Sequence, residues 1–204
     1  MRHLELADIA KLLSDGGVFA EFCRHLAEVC PLCAERLTKV EALMKRFRHW
    51  DAETVVREGP AADELFEALL EKEQGHSGWS SLVMDVLEKA EYQTWGVAWV
   101  SLEKAQGLIL EEDTKAQARE LALLAATIAG YLGASYHPDS IADLKALAHA
   151  TVAAAGVPGA DSFDTLRQVA ATVTALDQGT GDPTVARDVM DLLSQVFPKV
   201  AKPG

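Results

Sequence analysis

The stretch "HLAEVCPLC" at residues 25–33 places a histidine and two cysteines within nine positions, in a chain that has only three cysteines. A zinc ion takes four nitrogen or sulfur ligands at tetrahedral corners. Cys30 and Cys33 can chelate one ion from a turn between two helices. Pro31 suits the first turn of a helix, so the pair straddles a helix start. A thiolate there faces the positive end of the helix, which lowers thiol pKa and favours a metal. His25 precedes Cys30 by five residues, just over one helical turn, and its ring can reach the same corner. A fourth ligand must come from elsewhere. His3 is the best candidate, because a reversal at Gly16-Gly17 brings the chain start toward the end of the second helix. Cys23 is the alternative. It lies two residues from His25, about 200° away around a helix axis, and is read as packing.

Rival chemistry for the cysteines has less support. A thioredoxin-like C-x-x-C belongs after a strand in a βαβ unit, and no such pattern precedes it. Covalent haem attachment needs a histidine where Ala34 stands. Burial of two free cysteines in a core is the plain competitor.

The elements that must position these residues are helices. Leu4, Ile9, Leu12 and Leu13 recur near a 3.6-residue spacing, and "SDGG" at 14–17 ends that first helix. Residues 18–29 form a second, short helical stretch. A third helix runs from Pro31 through "LCAERLTKVEALMKRF", with Leu37, Val40, Leu43, Met44 and Phe47 on one side. Beyond it, Gly59-Pro60 reads as a linker between "AETVVRE" and the helix "AADELFEALLEKE". Six helical segments follow Gly75, each closed by Gly, Pro or Asp-rich punctuation. No period-2 strand persists. The expected fold is all-α: a three-helix zinc-binding unit over residues 1–50, then antiparallel hairpins over 51–204 that resemble a short tetratricopeptide-like stack. In that reading Gly156 sits at an inter-helix turn, Ala160 opens the next helix, Phe163 points inward, and Trp95 and Trp99 share one buried stripe.

Composition bounds the function. Apolar residues make up 49% and charged residues 25%, as in a globular protein. No apolar run reaches the roughly 18 residues of a membrane helix. The opening "MRHLELADIAKLL" lacks the order of a secretory signal, so a cytoplasmic protein is expected. The net charge is −12. Residues 1–50 hold eight Lys/Arg and seven Asp/Glu, leaving 11 and 24 for the remainder. A body this acidic repels phosphate and attracts basic partners.

The segment "MRHLELADIAKLLSDGG", with "FAEFCRHLAEVCPLCAERL" after it, resembles the zinc-binding anti-sigma factor domain of bacteria over about the first 48 residues. The resemblance implies that His3, His25, Cys30 and Cys33 hold a structural Zn2+. It also implies that the domain sequesters a sigma factor by packing helices on surfaces that RNA polymerase would otherwise occupy. The family places three residues between its histidine and first cysteine. Four intervene here, so the second helix must end early within "EVCP". Residues 92–195, including "ALDQGTGDPTVARDVMDLL", more loosely resemble bacterial proteins that join such a domain to tetratricopeptide-like helices.

Other motifs read as structural. "KRFRHW" at 45–50 is basic and aromatic, but basic residues are ordinary at a helix C-terminus. "GHSGWS" lacks both the pattern and the preceding strand of a nucleophile elbow. His76, His137 and His149 stand alone, and there is no phosphate loop or dinucleotide fingerprint. The sequence therefore points away from an enzyme and away from direct nucleic-acid binding. It points to a regulator that binds a protein, most directly a sigma factor. The second reading is a helical interaction scaffold in which zinc is only structural.

Overall fold

The computed structural model describes residues 3–15, 28–47, 50–73, 79–156 and 162–196. The described residues form nine α-helices and two short 3-10 turns, with no strand among them, so the chain is all-α. It divides into two units, Met1–Ala62 and Asp63–Gly204.

The N-terminal unit contains α1 (Leu6–Asp15), α2 (Pro31–Arg46) and the first part of α3 (Ala52–Glu73). Leu6, Ile9, Ala10 and Leu13 recur at helical spacing and turn one side of α1 toward α2. Its core joins Ile9 and Ala10 to Leu37, Val40, Ala52 and Val56, flanked by Leu4, Leu6, Leu13 and Met44. Helix α2 starts with Pro31 in its first turn and ends on Lys45 and Arg46, which complement its dipole. Asp51 opens α3 by accepting a bond from the Thr54 amide at 2.9 Å.

The linker expected at Gly59-Pro60 is not there: α3 runs through both residues. Two features override the local signal. Buried Ala52, Val55, Val56, Ala62, Phe66 and Leu69 continue one apolar stripe across the pair. Gly59 also admits the buried Phe47 ring, because a Cβ there would lie 2.8 Å from its Cε2. Pro60 has no amide to donate to the Val56 carbonyl, and the packing offsets that lost bond.

The second unit holds α4 (Trp79–Glu88), α5 (Trp95–Leu108), α6 (Lys115–Tyr131), α7 (Pro138–Ala154), α8 (Ser162–Asp177) and α9 (Pro183–Val196). Successive helices from α5 to α8 pack on one another, and α9 packs chiefly on α7. Alanines make the close approach possible: Ala98, Ala105, Ala118, Ala122, Ala125, Ala146, Ala148 and Ala150 are all fully buried. Helix α7 touches α5, α6, α8 and α9 and is covered on most sides. Trp95 is fully buried and its ring centroid lies 5.7 Å from that of the half-buried Trp99.

Polar groups fix the later turns. Asp143 on α7 is buried and accepts bonds from the Thr180 amide at 3.1 Å and the Thr180 hydroxyl at 2.5 Å. Gly179 is required beside it, since a Cβ there would lie 2.0 Å from Asp143 Oδ1. Gly181 follows with φ of 75°, the left-handed region that favours glycine. Between α7 and α8, His149 Nδ1 and Gln168 Oε1 pair at 2.9 Å.

Phe163 does not point inward. It is 71% exposed, and the inner side of α8 is instead Gln168, Thr172 and Ala175. These two polar side chains are buried because their bonds are made: Gln168 pairs with His149, and the Thr172 hydroxyl donates to the Gln168 carbonyl at 2.9 Å. Gly156 follows the end of α7, as the sequence indicates, while Ala160 lies outside the described residues. Among the described residues, no helix is long and apolar enough to cross a membrane.

Candidate metal centre

The start of α2 determines where the two thiols point. Cys30 is the N-cap, with extended backbone (φ −135°, ψ 108°), and its carbonyl accepts the first helical bond from the Ala34 amide at 3.0 Å. Cys33 is the third helical residue. N-cap and third position are the pair that face each other in a capping box, so C-x-x-C at this place brings both sulfurs to one side. Glu28 and Val29 are still helical, so the break the sequence requires falls at Cys30 itself. The Cys33 amide, bonding to the Cys30 sulfur, holds the Cys30 thiol below its ordinary pKa. The Cys33 thiol and the positive charge of Arg36 act in the same direction, against partial desolvation.

His3 reaches this pair from the start of the unit. Its Nδ1 lies 3.3 Å from Cys30 Sγ and 3.8 Å from Cys33 Sγ. The imidazole is exposed, Cys30 is half-buried and Cys33 is 6% exposed. Residues 3–5 precede α1 and are not helical. Leu4 sits half-buried against the small core. The Glu5 amide donates to Asp8 Oδ2 at 3.2 Å, and the Glu5 carbonyl accepts from the Ile9 amide at 3.1 Å. From α2, Arg36 Nη1 donates to the Leu4 carbonyl at 2.5 Å and lies 3.4 Å from Glu5 Oε1.

The donor set fits a tetrahedral ion. With metal–sulfur bonds of about 2.3 Å and metal–nitrogen bonds of about 2.05 Å, tetrahedral angles put sulfur and nitrogen about 3.6 Å apart. The two observed sulfur–nitrogen distances bracket that value. All three donor atoms lie within 4.8 Å of one another, close enough to bind a metal. A single cysteine and histidine at 3.3 Å also have the spacing of a nucleophile and its base. The feature particular to this site is that two sulfurs converge on one ring nitrogen.

Three of the four residues anticipated as ligands, His3, Cys30 and Cys33, are therefore together. His25 lies outside the described residues, as do Cys23 and His76. His137 is exposed, 3.8 Å from the Asp139 carboxylate, and His149 is engaged with Gln168. In the basic stretch, the Arg46 guanidinium stacks 4.9 Å from the centroid of Phe47. The sequence reading missed Arg36. Its one signal is position: three residues after Cys33, it shares that helix side. Nothing in the sequence says that the Leu4 carbonyl would meet it. Set against family models, curated proteins and solved structures, the chain matches none.

Proposed function

We propose that the N-terminal unit is a zinc-stapled helical module that binds and sequesters a sigma factor, making the chain a regulator of transcription. The observation that carries this reading is the convergence of His3 Nδ1 on Cys30 and Cys33 across some 30 residues of chain. His3, Cys30 and Cys33 would hold the ion, with His25 as the fourth ligand that the family resemblance implies. When bound, zinc supplies a structural cross-link. The chain's own residues do the rest: they fix α1 against α2 and present the outer sides of those helices to a partner. The excess of acid after residue 50 favours a partner with basic surface, and a DNA-binding sigma factor has one.

The test is co-expression of the full chain with a sigma factor encoded beside it. A stoichiometric complex that lowers sigma-dependent transcription in a purified system supports the proposal. A complex that leaves transcription unchanged supports the scaffold reading instead. The observation in favour of a scaffold is on α8, where Phe163, Leu166 and Val173 are more than half exposed along one side.

A further inference from the structure

We propose that Arg36 is the positioning residue of the metal centre, holding the His3 imidazole over the two thiols. The inference rests on the metal reading above and adds to it a residue that no ligand motif contains.

The histidine is exposed and lies outside any helix, so its own packing does little to orient it. The backbone on its C-terminal side is fixed in steps. Glu5 caps the start of α1, its amide donating to Asp8 Oδ2 and its carbonyl accepting from the Ile9 amide. The Leu4 carbonyl lies before the helical ladder, and Arg36 is the group that takes it, at 2.5 Å. The same guanidinium nitrogen faces the Glu5 carboxylate at 3.4 Å. Arg36 thus grips the peptide that follows His3 on two successive residues.

The other end of the grip sits where it must. Arg36 follows Cys33 by three residues on α2 and so shares its side one turn on. The helix that aims both sulfurs also aims the arginine. His3 is thereby tied to the frame that carries Cys30 and Cys33, and its Nδ1 meets both sulfurs. Ligands of metal sites are commonly oriented by such partners, and losing one typically costs about 10–100-fold in metal affinity. The plain competitor is an exposed ion pair with Glu5, with Leu4 packing alone fixing the segment before α1. An exposed pair of that kind contributes little and has no connection to the histidine.

A double-mutant cycle on the full chain separates the two, with Co2+ as probe, chelator competition for affinity and the ligand-field spectrum for geometry. Arg36→Met is expected to weaken Co2+ binding about 10-fold and to change the tetrahedral spectrum in the direction that His3→Ala changes it. In the His3→Ala background the same substitution is expected to have little further effect. Arg36→Lys, which keeps one donor for the Leu4 carbonyl, should recover part of the affinity. Glu5→Gln, which removes only the ion pair, should leave it nearly unchanged. Equal losses from Arg36→Met with and without His3 overturn the proposal, as does full affinity in Arg36→Met. If the unsubstituted chain takes up no Co2+ through its thiolates, the metal reading itself falls. Circular dichroism of each variant, taken beside the titration, identifies loss of helix; an Arg36→Met chain that has lost helix is replaced in the cycle by Arg36→Ala, which also lacks the donor and has the highest helix propensity.

Discussion

Among the described residues of the N-terminal unit, one buried cluster joins Ile9, Ala10, Leu37, Val40, Ala52 and Val56, with Cys33, Phe47, Val55 and Ala62 also buried. In the second unit, α7 alone buries ten of its residues, and α5 and α6 contribute eight and seven more. The difference is one of means. The second unit is close-packed through alanines, so apolar burial and dispersion hold it. The described helices of the first bury fewer side chains each, and it brings together three side chains that could hold a metal, from its start and from the head of α2. A cross-link worth about 10 kcal/mol or more, as structural zinc can be, would matter greatly to such a unit and little to the other.

The largest expected effect tests that asymmetry. Chelation of the native chain, or Cys30→Ala with Cys33→Ala, should strip hydrogen-exchange protection from α1 and α2 while leaving α5 to α7 protected. Loss of protection in both units together would erase the distinction. The converse is a core truncation in the second unit. Leu144→Ala, at a residue 1% exposed, should cost about 2–5 kcal/mol in thermal or urea unfolding with metal content unchanged.

A smaller effect is expected at the turn after α8. Gly179→Ala places a methyl where Asp143 Oδ1 now sits, and displacing that carboxylate from Thr180 should cost about 1–3 kcal/mol. Denaturation midpoints would measure it, and an unchanged midpoint would mean the clamp is dispensable.

The smallest is electrostatic. Partial burial pushes the Asp164 carboxyl up, but its pairs with Arg119 and Arg167 outweigh this and hold it below the ordinary value of 3.8. A carboxyl depressed in the folded state stabilises above its unfolded pKa, and that contribution is lost as pH falls through the folded one. Asp164→Asn should therefore lower stability by about 0.2–1 kcal/mol near pH 7, with the gap closing only below pH 3.8. A gap that closed between pH 5 and 7 would point to another group.

Punctuation explains why most of the fold could be read from residue types. Each of the six segments after Gly75 became one helix, most of them bounded by Gly, Pro or Asp-rich turns that act locally, while α4 and α5 are divided by a 3-10 turn and the Thr94 cap. Two misreadings came from tertiary packing. Gly59-Pro60 is a break by local rules, yet the Phe47 ring needs the glycine and the apolar stripe continues past it. On α8 polarity misled, because Gln168 and Thr172 face inward with their bonds satisfied while Phe163 stays outside. The site divides the same way. His3, Cys30 and Cys33 announce themselves by residue type and by the helix start. Arg36 acts through a backbone carbonyl 32 residues away, and no spacing rule reaches that far.

Metal content bears most directly on the whole account. The full chain, purified without chelator and analysed by mass spectrometry of its elements, should carry one zinc per molecule, and Cys30→Ser with Cys33→Ser should carry none. Protein that is fully folded in both units yet yields no bound metal, with thiol reactivity indifferent to added zinc, would contradict it.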